Sequence, residues 1–328
     1  MIRIGIIGTN FITDQFIEGC KLVKDIKISA VYSRTLKKAE EFSKKYSIEN
    51  RFTNLEDMAK SNIIDAVYIA SPNSLHKKQS LLFLNNKKHV LCEKPSCSNV
   101  KELKEIIEVS KKNKVLFMEA MKSSFMPNFK TIKENLYKIG KVRRYFASYC
   151  KYSSRYDLYK EGKNPNTFNP KFSNGSLMDL GVYCIYPVIN LFGIPNKIDA
   201  NAFKLESGVD GQGSVSLSYD SMDAIIMHSK IANSYMLNEI EGEKGTIVID
   251  QISTPENVKI IYKDGKKEDI TRKQIKENMC YEIEEFVNLI KEGKIESTIN
   301  SHELSFNVMK VLETSRKQFG LLYDADKE

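Results

Sequence analysis

The sequence predicts a two-domain protein: a doubly wound α/β domain with a parallel sheet, followed by an α+β domain with a large, mainly antiparallel, open-faced sheet. From Met1 to Met118 short apolar strands alternate with amphipathic helices, whereas beyond residue 120 successive strands are joined by turns. The chain has 328 residues, more than the ~250–300 at which a single hydrophobic core stops growing. We therefore expect one domain at 1–120 and a second at 121–328.

The first half contains strands that are apolar almost throughout, which is typical of a parallel sheet buried on both faces. The expected helices run near residues 11–23, 36–46, 74–84 and 100–112. The expected strands read "IRIGIIG", "IKISAVYS", "AVYIA", "HVLCE" and "VLFME".

The second half begins with a helix that opens at Pro127 and stops near Gly140, and two helices near 280–291 and 304–319 close the chain. Between them Asp264-Gly265 has the composition of a two-residue hairpin turn with positive φ at both positions. The expected strands read "VRRYFASY", "GSVSLSY", "DAIIMHSKIA", "MLNEIEGEKGTIVID" and "VKIIYKDGKKEDI". Such a sheet has two faces to cover, and we expect one against helices and the other in a homodimer or homotetramer contact.

The composition excludes several classes of protein. The chain is 41% hydrophobic and 28% charged, as in ordinary globular proteins. Its start shows no secretory leader, and no apolar run approaches ~20 residues. We therefore expect a cytoplasmic protein without a membrane partner. The six cysteines form no CxxC pair, so we expect reduced thiols and no metal site. The net charge is +8, and only eight of the 50 Lys and Arg residues are arginine. The lysines are spread along the chain, which argues against a nucleic-acid partner.

The stretch "GIIGTNFIT" leads from the first strand into a helix, as the pyrophosphate-binding turn of a dinucleotide site does. Gly8 supplies the turn, and Asn10 stands where the usual fingerprint has its second glycine, as a residue that tolerates a left-handed conformation. The turn by itself is equally compatible with a purely structural role. The candidate cofactor contacts are Gly8, Thr9, Asn10, Phe11 and Ile12.

The end of the second strand favours NADP over NAD. An acidic residue usually holds a free ribose 2′-hydroxyl at this place, whereas here "YSRTLKK" offers cations and hydroxyls. Cations at a helix start are disfavoured by the helix dipole, so a bound anion explains them better than surface decoration. The candidate 2′-phosphate ligands are Ser33, Arg34, Thr35 and Lys38.

Two further stretches lie at the carboxyl ends of strands, where ligands bind in open α/β sheets. The first is "SPNSLH" and the second is "CEKPS". We expect Lys94 to face the ligand crevice rather than bulk solvent. The further candidate cofactor contacts are Ser71, Pro72, Asn73, His76, Glu93 and Lys94.

In this order, "GIIGTNFIT", "SPNSLH", "EKP", "MEAM", "GSLMDLGVY" and "IEGEKGTIVI" make the chain resemble the Gfo/Idh/MocA oxidoreductase family over essentially its whole length. The resemblance implies an N-terminal NAD(P)-binding Rossmann domain and a C-terminal domain for substrate binding and oligomerisation. It also implies that Lys94 lies beside the nicotinamide and the substrate carbon, and that a helix of the second domain supplies Asp179 and Tyr183, four residues apart on one face. Tyr183 stands in place of a histidine, and in this the chain resembles the branch that contains dimeric dihydrodiol dehydrogenase and NADP-dependent D-xylose dehydrogenase. Lys122 replaces the tryptophan of that branch, and Pro187 is expected to kink the helix.

These features predict an NADP-preferring oxidoreductase, with NAD as the alternative cofactor, that moves hydride to or from a carbinol carbon of a sugar or polyol. Lys94 would stabilise charge on the substrate oxygen, Tyr183 would pass the proton, and Asp179 would orient the substrate or Lys94. The alternative readings of Asp179 and Tyr183 are a helix cap and a core tyrosine. The competing function is a catalytically silent nucleotide-binding sensor on the same fold; a hydrolase lacks the GxSxG elbow it would need.

Overall fold

The computed structural model describes residues 1–327 and divides the chain into two compact units. Unit 1 comprises residues 1–122 and 275–302, and unit 2 comprises residues 123–274 and 303–328. The predicted division at residue 120 assigns 275–302 to the second domain, whereas the structure groups this segment with unit 1. The expected combination of a doubly wound parallel sheet and a mainly antiparallel sheet is confirmed.

Unit 1 holds a six-stranded parallel sheet in the order β3-β2-β1-β4-β5-β6. The order reverses between β1 and β4, and this switch point is where open α/β sheets bind ligands. The strands are β1 (Ile2–Ile7), β2 (Ile26–Tyr32), β3 (Asn50–Phe52), β4 (Ala66–Ile69), β5 (His89–Glu93) and β6 (Phe117–Ala120). Strand β3 was not predicted, because three residues carry too little periodicity to be recognised.

The helices of unit 1 follow the predicted positions, with α3 as an unpredicted addition. Helix α2 has the predicted bounds, and α4 is preceded by a 3₁₀ turn at Asn73–Leu75. The helices are α1 (Phe11–Cys20), α2 (Leu36–Tyr46), α3 (Leu55–Lys60), α4 (His76–Asn85), α5 (Val100–Asn113) and, from the later segment, α9 (Cys280–Lys291).

Helix α9 belongs to unit 1 because it packs against α1. A Cβ atom built on Gly19 of α1 would lie 3.0 Å from Ile283 Cδ1 and 3.1 Å from the Cys280 nitrogen. Only glycine lets the two helices approach this closely. The predicted bounds of α9 are confirmed.

Unit 2 holds an eight-stranded sheet in the order β14-β13-β12-β11-β7-β10-β9-β8. All neighbouring pairs are antiparallel except β7 with β10, which is parallel. The strands are β7 (Val142–Cys150), β8 (Lys197–Lys204), β9 (Asp210–Ser218), β10 (Asp223–Ser229), β11 (Asn238–Gly242), β12 (Gly245–Ile249), β13 (Val258–Tyr262) and β14 (Lys267–Asp269). The β13–β14 turn is not the predicted two-residue type: the two strands are separated by four residues, and Gly265 has φ +85° while Asp264 is not among the residues with positive φ.

The core helix of unit 2 is α8 (Val182–Phe192), which packs on β7 and β10 and is anchored by a hydrogen bond of 2.9 Å from the Tyr145 hydroxyl to the Cys184 carbonyl. The helix continues through Pro187 to Phe192. The stretch Pro170–Phe192 is long and apolar enough to cross a membrane by length and composition alone, but 67% of it is buried inside the fold, as in the core helix of a globular protein. The other helices are α6 (Pro127–Asn135), α7 (Tyr156–Lys160) and α10 (His302–Gln318).

Candidate active site

The turn after β1 is tight and fixed by the end of β4. Gly8 has φ +110°, and a Cβ atom there would lie 2.5 Å from the Ala70 carbonyl oxygen, so only glycine fits. Asn10 is not left-handed as predicted; it has φ −107° and ψ 179° and is the N-cap of α1. The prediction was wrong because the position requires a capping acceptor rather than a positive φ.

The Asn10 side chain links the turn to the neighbouring strand. Its Oδ1 accepts hydrogen bonds from the Ile12 and Thr13 amides at 3.1 and 3.3 Å, and its Nδ2 donates to the Ala70 carbonyl at 3.0 Å. Two first-turn amides are thus used within the protein. The Phe11 amide, at the first helical position, has no intrahelical acceptor.

The residues after β2 combine one buried and several exposed groups. Ser33 is buried, and its amide donates to the Phe52 carbonyl of β3 at 3.1 Å. Thr35 caps α2 by accepting from the Lys38 amide. Arg34 and Lys38 are exposed, and within residues 1–327 no carboxylate pairs with the Arg34 guanidinium. An exposed cation without a carboxylate partner is available to an anionic ligand.

The segment after β4 braces the segment after β5 through His76, which is fully buried. His76 Nδ1 lies 2.9 Å from the Pro95 carbonyl oxygen and Nε2 lies 2.8 Å from the Ser71 carbonyl oxygen. Burial lowers the pKa of His76, so the ring is neutral near pH 7 and its single N–H donates to one of the two carbonyls. Asn73 is also buried, whereas Ser71 and Pro72 are partly exposed. His76 therefore supports the site instead of lining it.

Buried carboxylates fix the loop that carries Lys94. Glu93 accepts a hydrogen bond of 2.6 Å from the Tyr68 hydroxyl, and burial raises the pKa of Glu93. Glu119 accepts from the Ser96 amide at 2.9 Å, and Glu102 accepts from the Ser98 amide at 2.7 Å. The buried position of Glu93 makes it, like His76, a support for the loop, while Lys94 remains partly exposed.

A second buried carboxylate, which the sequence analysis missed, lies near this loop. Glu282 of α9 has no exposed surface, and neither of its carboxylate oxygens has a hydrogen-bond partner among residues 1–327. Burial and the neighbouring Glu93 raise the pKa of Glu282, and Lys122 opposes that rise. Lys122, the residue that replaces tryptophan, has its own pKa lowered by burial. A glutamate on the apolar stripe of α9, next to Ile283 and Phe286, was the available sequence signal.

In unit 2, Asp179 and Tyr183 do not lie on one regular helix. Asp179 belongs to a π-helical turn, Leu177–Gly181, and Tyr183 lies in the first turn of α8. The regular α-helix that was expected is thus interrupted between the two residues, and their shared face stays a prediction. Both side chains are partly exposed, and the Tyr183 ring meets Tyr149 edge-on at 5.7 Å. Neither is therefore a fully buried core residue, and π-turns occur frequently at functional sites.

A buried network holds the start of the π-turn. Asp210 Oδ2 accepts from the Ser176 hydroxyl at 2.8 Å and from the Leu177 amide at 2.6 Å. The Ser176 hydrogen is thereby used, so His228, whose Nδ1 lies 2.7 Å from Ser176 Oγ, must donate from Nδ1. Burial lowers the pKa of His228 to about 3 and raises that of Asp210 to about 6. The ring is neutral, and this Ser-His-Asp set is a support for the turn rather than a hydrolytic triad.

Asp179 also has a partner that the sequence did not reveal. Lys230, directly after β10, forms an ion pair with Asp179 and a hydrogen bond with the Thr167 hydroxyl. A lone lysine at the end of an alternating strand carries no distinctive sequence signal, which is why it was missed.

The structure thus gathers the predicted cofactor residues at the carboxyl edge of the unit 1 sheet, together with Lys94, and places Asp179 and Tyr183 in unit 2. Within residues 1–327, no group of three His, Cys, Asp or Glu side chains could hold a metal ion, and all six cysteines are free.

Comparison with protein families is consistent with this architecture. Residues 2–121 match the model of an oxidoreductase family with an NAD-binding Rossmann fold, and residues 132–248 match a C-terminal domain of the same family. The chain belongs to the Gfo/Idh/MocA family. It is therefore a member of an NAD(P)-dependent oxidoreductase family, as its motifs predicted.

Relatives in this family cover the whole chain. A scyllo-inositol 2-dehydrogenase (NADP(+)) of Bacillus subtilis is 55% identical over 327 residues, 100% of each chain. A mouse trans-1,2-dihydrobenzene-1,2-diol dehydrogenase is 28% identical and covers 99% of each chain. A crystal structure of a 3-ketoreductase from Actinomadura kijaniata with NADP and TDP-benzene has a TM-score of 0.86 at 20% identity, over 98% of this chain and 99% of that one; this likeness concerns the fold.

Proposed function

We propose that this protein is an NADP-preferring dehydrogenase that oxidises a carbinol carbon of a cyclic polyol, with scyllo-inositol as the first candidate substrate. The proposal is carried by the set Lys94, Asp179 and Tyr183 in a chain that is 55% identical, end to end, to an NADP-dependent scyllo-inositol dehydrogenase. At this identity and full coverage, relatives commonly share the reaction class, but the substrate needs a direct test.

Two observations in unit 1 support NADP binding. Gly8 has φ +110° and so allows the tight turn that leads directly into the start of α1, where a diphosphate can approach the backbone amides. Arg34 is exposed and has no carboxylate partner within residues 1–327, and a guanidinium makes charge-assisted hydrogen bonds with a 2′-phosphate. Thr9, Asn10, Phe11 and Ile12 would lie along the diphosphate. Ser33, Thr35 and Lys38 would flank the 2′-phosphate, and Ser71, Pro72 and Asn73 would lie on the nicotinamide side. His76 and Glu93 would act by holding this edge in place.

Bound NADP supplies the hydride acceptor, and the protein binds and polarises the substrate. Lys94 would stabilise the negative charge that develops on the substrate oxygen. Tyr183 would accept the hydroxyl proton as it releases its own toward solvent, and so pass the proton on, and Asp179 would accept a hydrogen bond from a neighbouring substrate hydroxyl. The rigid support of the Lys94 loop by Glu119, Glu102 and His76 favours this role, because a catalytic ammonium must be held in place before the substrate binds.

Two broader expectations belong to the same proposal. The open face of the eight-stranded sheet would form a homodimer or homotetramer contact, and the protein would act in the cytoplasm without a nucleic-acid or membrane partner. The exposed apolar side chains Phe203 and Met227 on β8 and β10 support a covered sheet face.

The test is a panel of initial-rate assays that follow NADPH or NADH absorbance. The panel contains scyllo-inositol, myo-inositol, D-xylose and trans-1,2-dihydrobenzene-1,2-diol, each with NADP and with NAD. We expect the highest kcat/KM for scyllo-inositol with NADP. Tight NADP binding with no turnover of any polyol would contradict the proposal and favour the silent nucleotide sensor.

A further inference from the structure

The charge next to Asp179 is supplied by a lysine that hardly reaches the surface. The Lys230 side chain is 4% exposed, whereas the Asp179 side chain is 35% exposed. A ligand in unit 2 can therefore touch Asp179 directly, but it meets Lys230 mainly through Asp179.

The Lys230 backbone and side chain are both fixed. Its amide donates to the Gly211 carbonyl at 2.8 Å, and its carbonyl accepts from the Ser153 amide at 2.9 Å. Its ammonium contacts Asp179 and Thr167 and lies 5.6 Å from the centre of the Phe168 ring. Burial of an ammonium is costly unless it is paired, so the pair with Asp179 is the arrangement that makes this buried lysine tolerable.

The same contacts determine the local charge. The ammonium of Lys230 is balanced by Asp179, and Asp210 is a further acidic group whose carboxylate acts on Lys230 from the buried network. A substrate hydroxyl needs an acceptor that is held in a fixed orientation.

We propose that Lys230 is a positioning residue that fixes Asp179 as a hydrogen-bond acceptor for a hydroxyl of the polyol substrate. This inference rests on the proposed function, because it assigns a positioning residue to the same site. Lys230 acts through Asp179, and Thr167 fixes the ammonium from the other side.

The test compares Lys230→Met, Lys230→Gln and Thr167→Val with the parent protein, and uses Lys310→Met, at an exposed lysine of α10, as the matched control. For each variant KM and kcat for scyllo-inositol, the pH dependence of kcat/KM, the dissociation constant of NADP and the melting temperature are measured. Lys230→Gln keeps a donor toward Asp179 but removes the charge, so it decides the question if Lys230→Met does not fold.

We expect Lys230→Met to raise the KM for the polyol roughly tenfold to a hundredfold, which is the range for losing a hydrogen bond to a charged group, with NADP affinity unchanged. Lys230→Gln should show a smaller rise, and Thr167→Val a rise of a few-fold. In both Lys230 variants the acid limb of kcat/KM should move to higher pH, since a carboxylate that loses its cation protonates more readily. Lys310→Met should match the parent.

Parental KM and pH profile in Lys230→Gln would overturn the positioning role. This failure differs from failure of the proposed function, which would appear as a parent protein that oxidises no polyol with NADP.

Discussion

Replacement of Asn10 tests whether this residue stabilises the turn after β1, at the position where the usual fingerprint has its second glycine. Asn10→Ala removes the cap on the Ile12 and Thr13 amides, and it removes the donor to the Ala70 carbonyl. Loss of an N-cap costs ~1 kcal/mol, and a partly buried carbonyl that loses its donor costs about 1 kcal/mol more. We therefore expect Asn10→Ala to lower the free energy of unfolding of unit 1 by about 2 kcal/mol.

Two further substitutions separate capping from phosphate binding. Asn10→Gly restores the usual glycine; it should lose less stability than Asn10→Ala and keep or improve NADP affinity, because the Ile12 and Thr13 amides become available to the diphosphate. Asn10→Asp keeps a capping oxygen at the helix N-terminus but brings a negative charge toward the phosphates. It should therefore keep the helix cap, lose the hydrogen bond to the Ala70 carbonyl and weaken NADP binding.

The assay is urea unfolding followed by circular dichroism, combined with NADP titration by calorimetry. Unchanged unfolding of Asn10→Ala would refute the capping argument. Parental NADP affinity in Asn10→Asp would refute the placement of the diphosphate at this turn.

Three other predictions follow from the charges and the sheet. Arg34→Ala should weaken NADP binding by roughly tenfold to a hundredfold through lost charge-assisted hydrogen bonds and leave NAD binding unchanged. The control is Lys44→Ala at the far end of α2. Equal losses of affinity for both cofactors would contradict the 2′-phosphate site. Glu282→Gln should gain stability relative to the parent as pH rises in urea unfolding at pH 5, 7 and 9. The pKa of Glu282 is raised in the folded protein, so protonated Glu282 stabilises the parent fully below its unfolded pKa near 4.5. This stabilisation is lost as the pH rises, by at most ~1.4 kcal/mol per pH unit. A difference in unfolding free energy between Glu282→Gln and the parent that stays constant from pH 5 to 9 would contradict the prediction. Light scattering at micromolar concentration should give a dimer or tetramer, and a monomer would count against the covered sheet face.

The sequence contained enough information for the parallel and mainly antiparallel character of the two sheets and for most helices, because buried parallel strands and amphipathic helices leave strong periodic patterns. The bounds of α2 and α9 were predicted correctly for this reason. Strand β8 was missed because its alternation, "KIDANAFK", includes small and polar residues that resemble a loop.

The candidate site was less predictable, because its support comes from contacts between distant residues. Glu93 and His76 also brace the loop edge through Tyr68, Ser71 and Pro95, which the sequence did not indicate, and their contact with the cofactor stays a prediction. The π-turn at Asp179 depends on the network of Asp210, and no local sequence signal specifies it. Lys94, in contrast, was identifiable because the end of a parallel strand determines its position.

Lys94 is proposed to polarise a polyol for hydride transfer to NADP, and the kcat of Lys94→Ala with scyllo-inositol and NADP tests this role. Loss of one fixed charged donor typically lowers the rate by ~10²–10³. We expect a loss of at least this size with the melting temperature and the NADP dissociation constant of the parent, since Glu119, Glu102 and His76 hold the loop through its backbone. Turnover at the parental rate by a folded, NADP-binding Lys94→Ala protein would contradict the account.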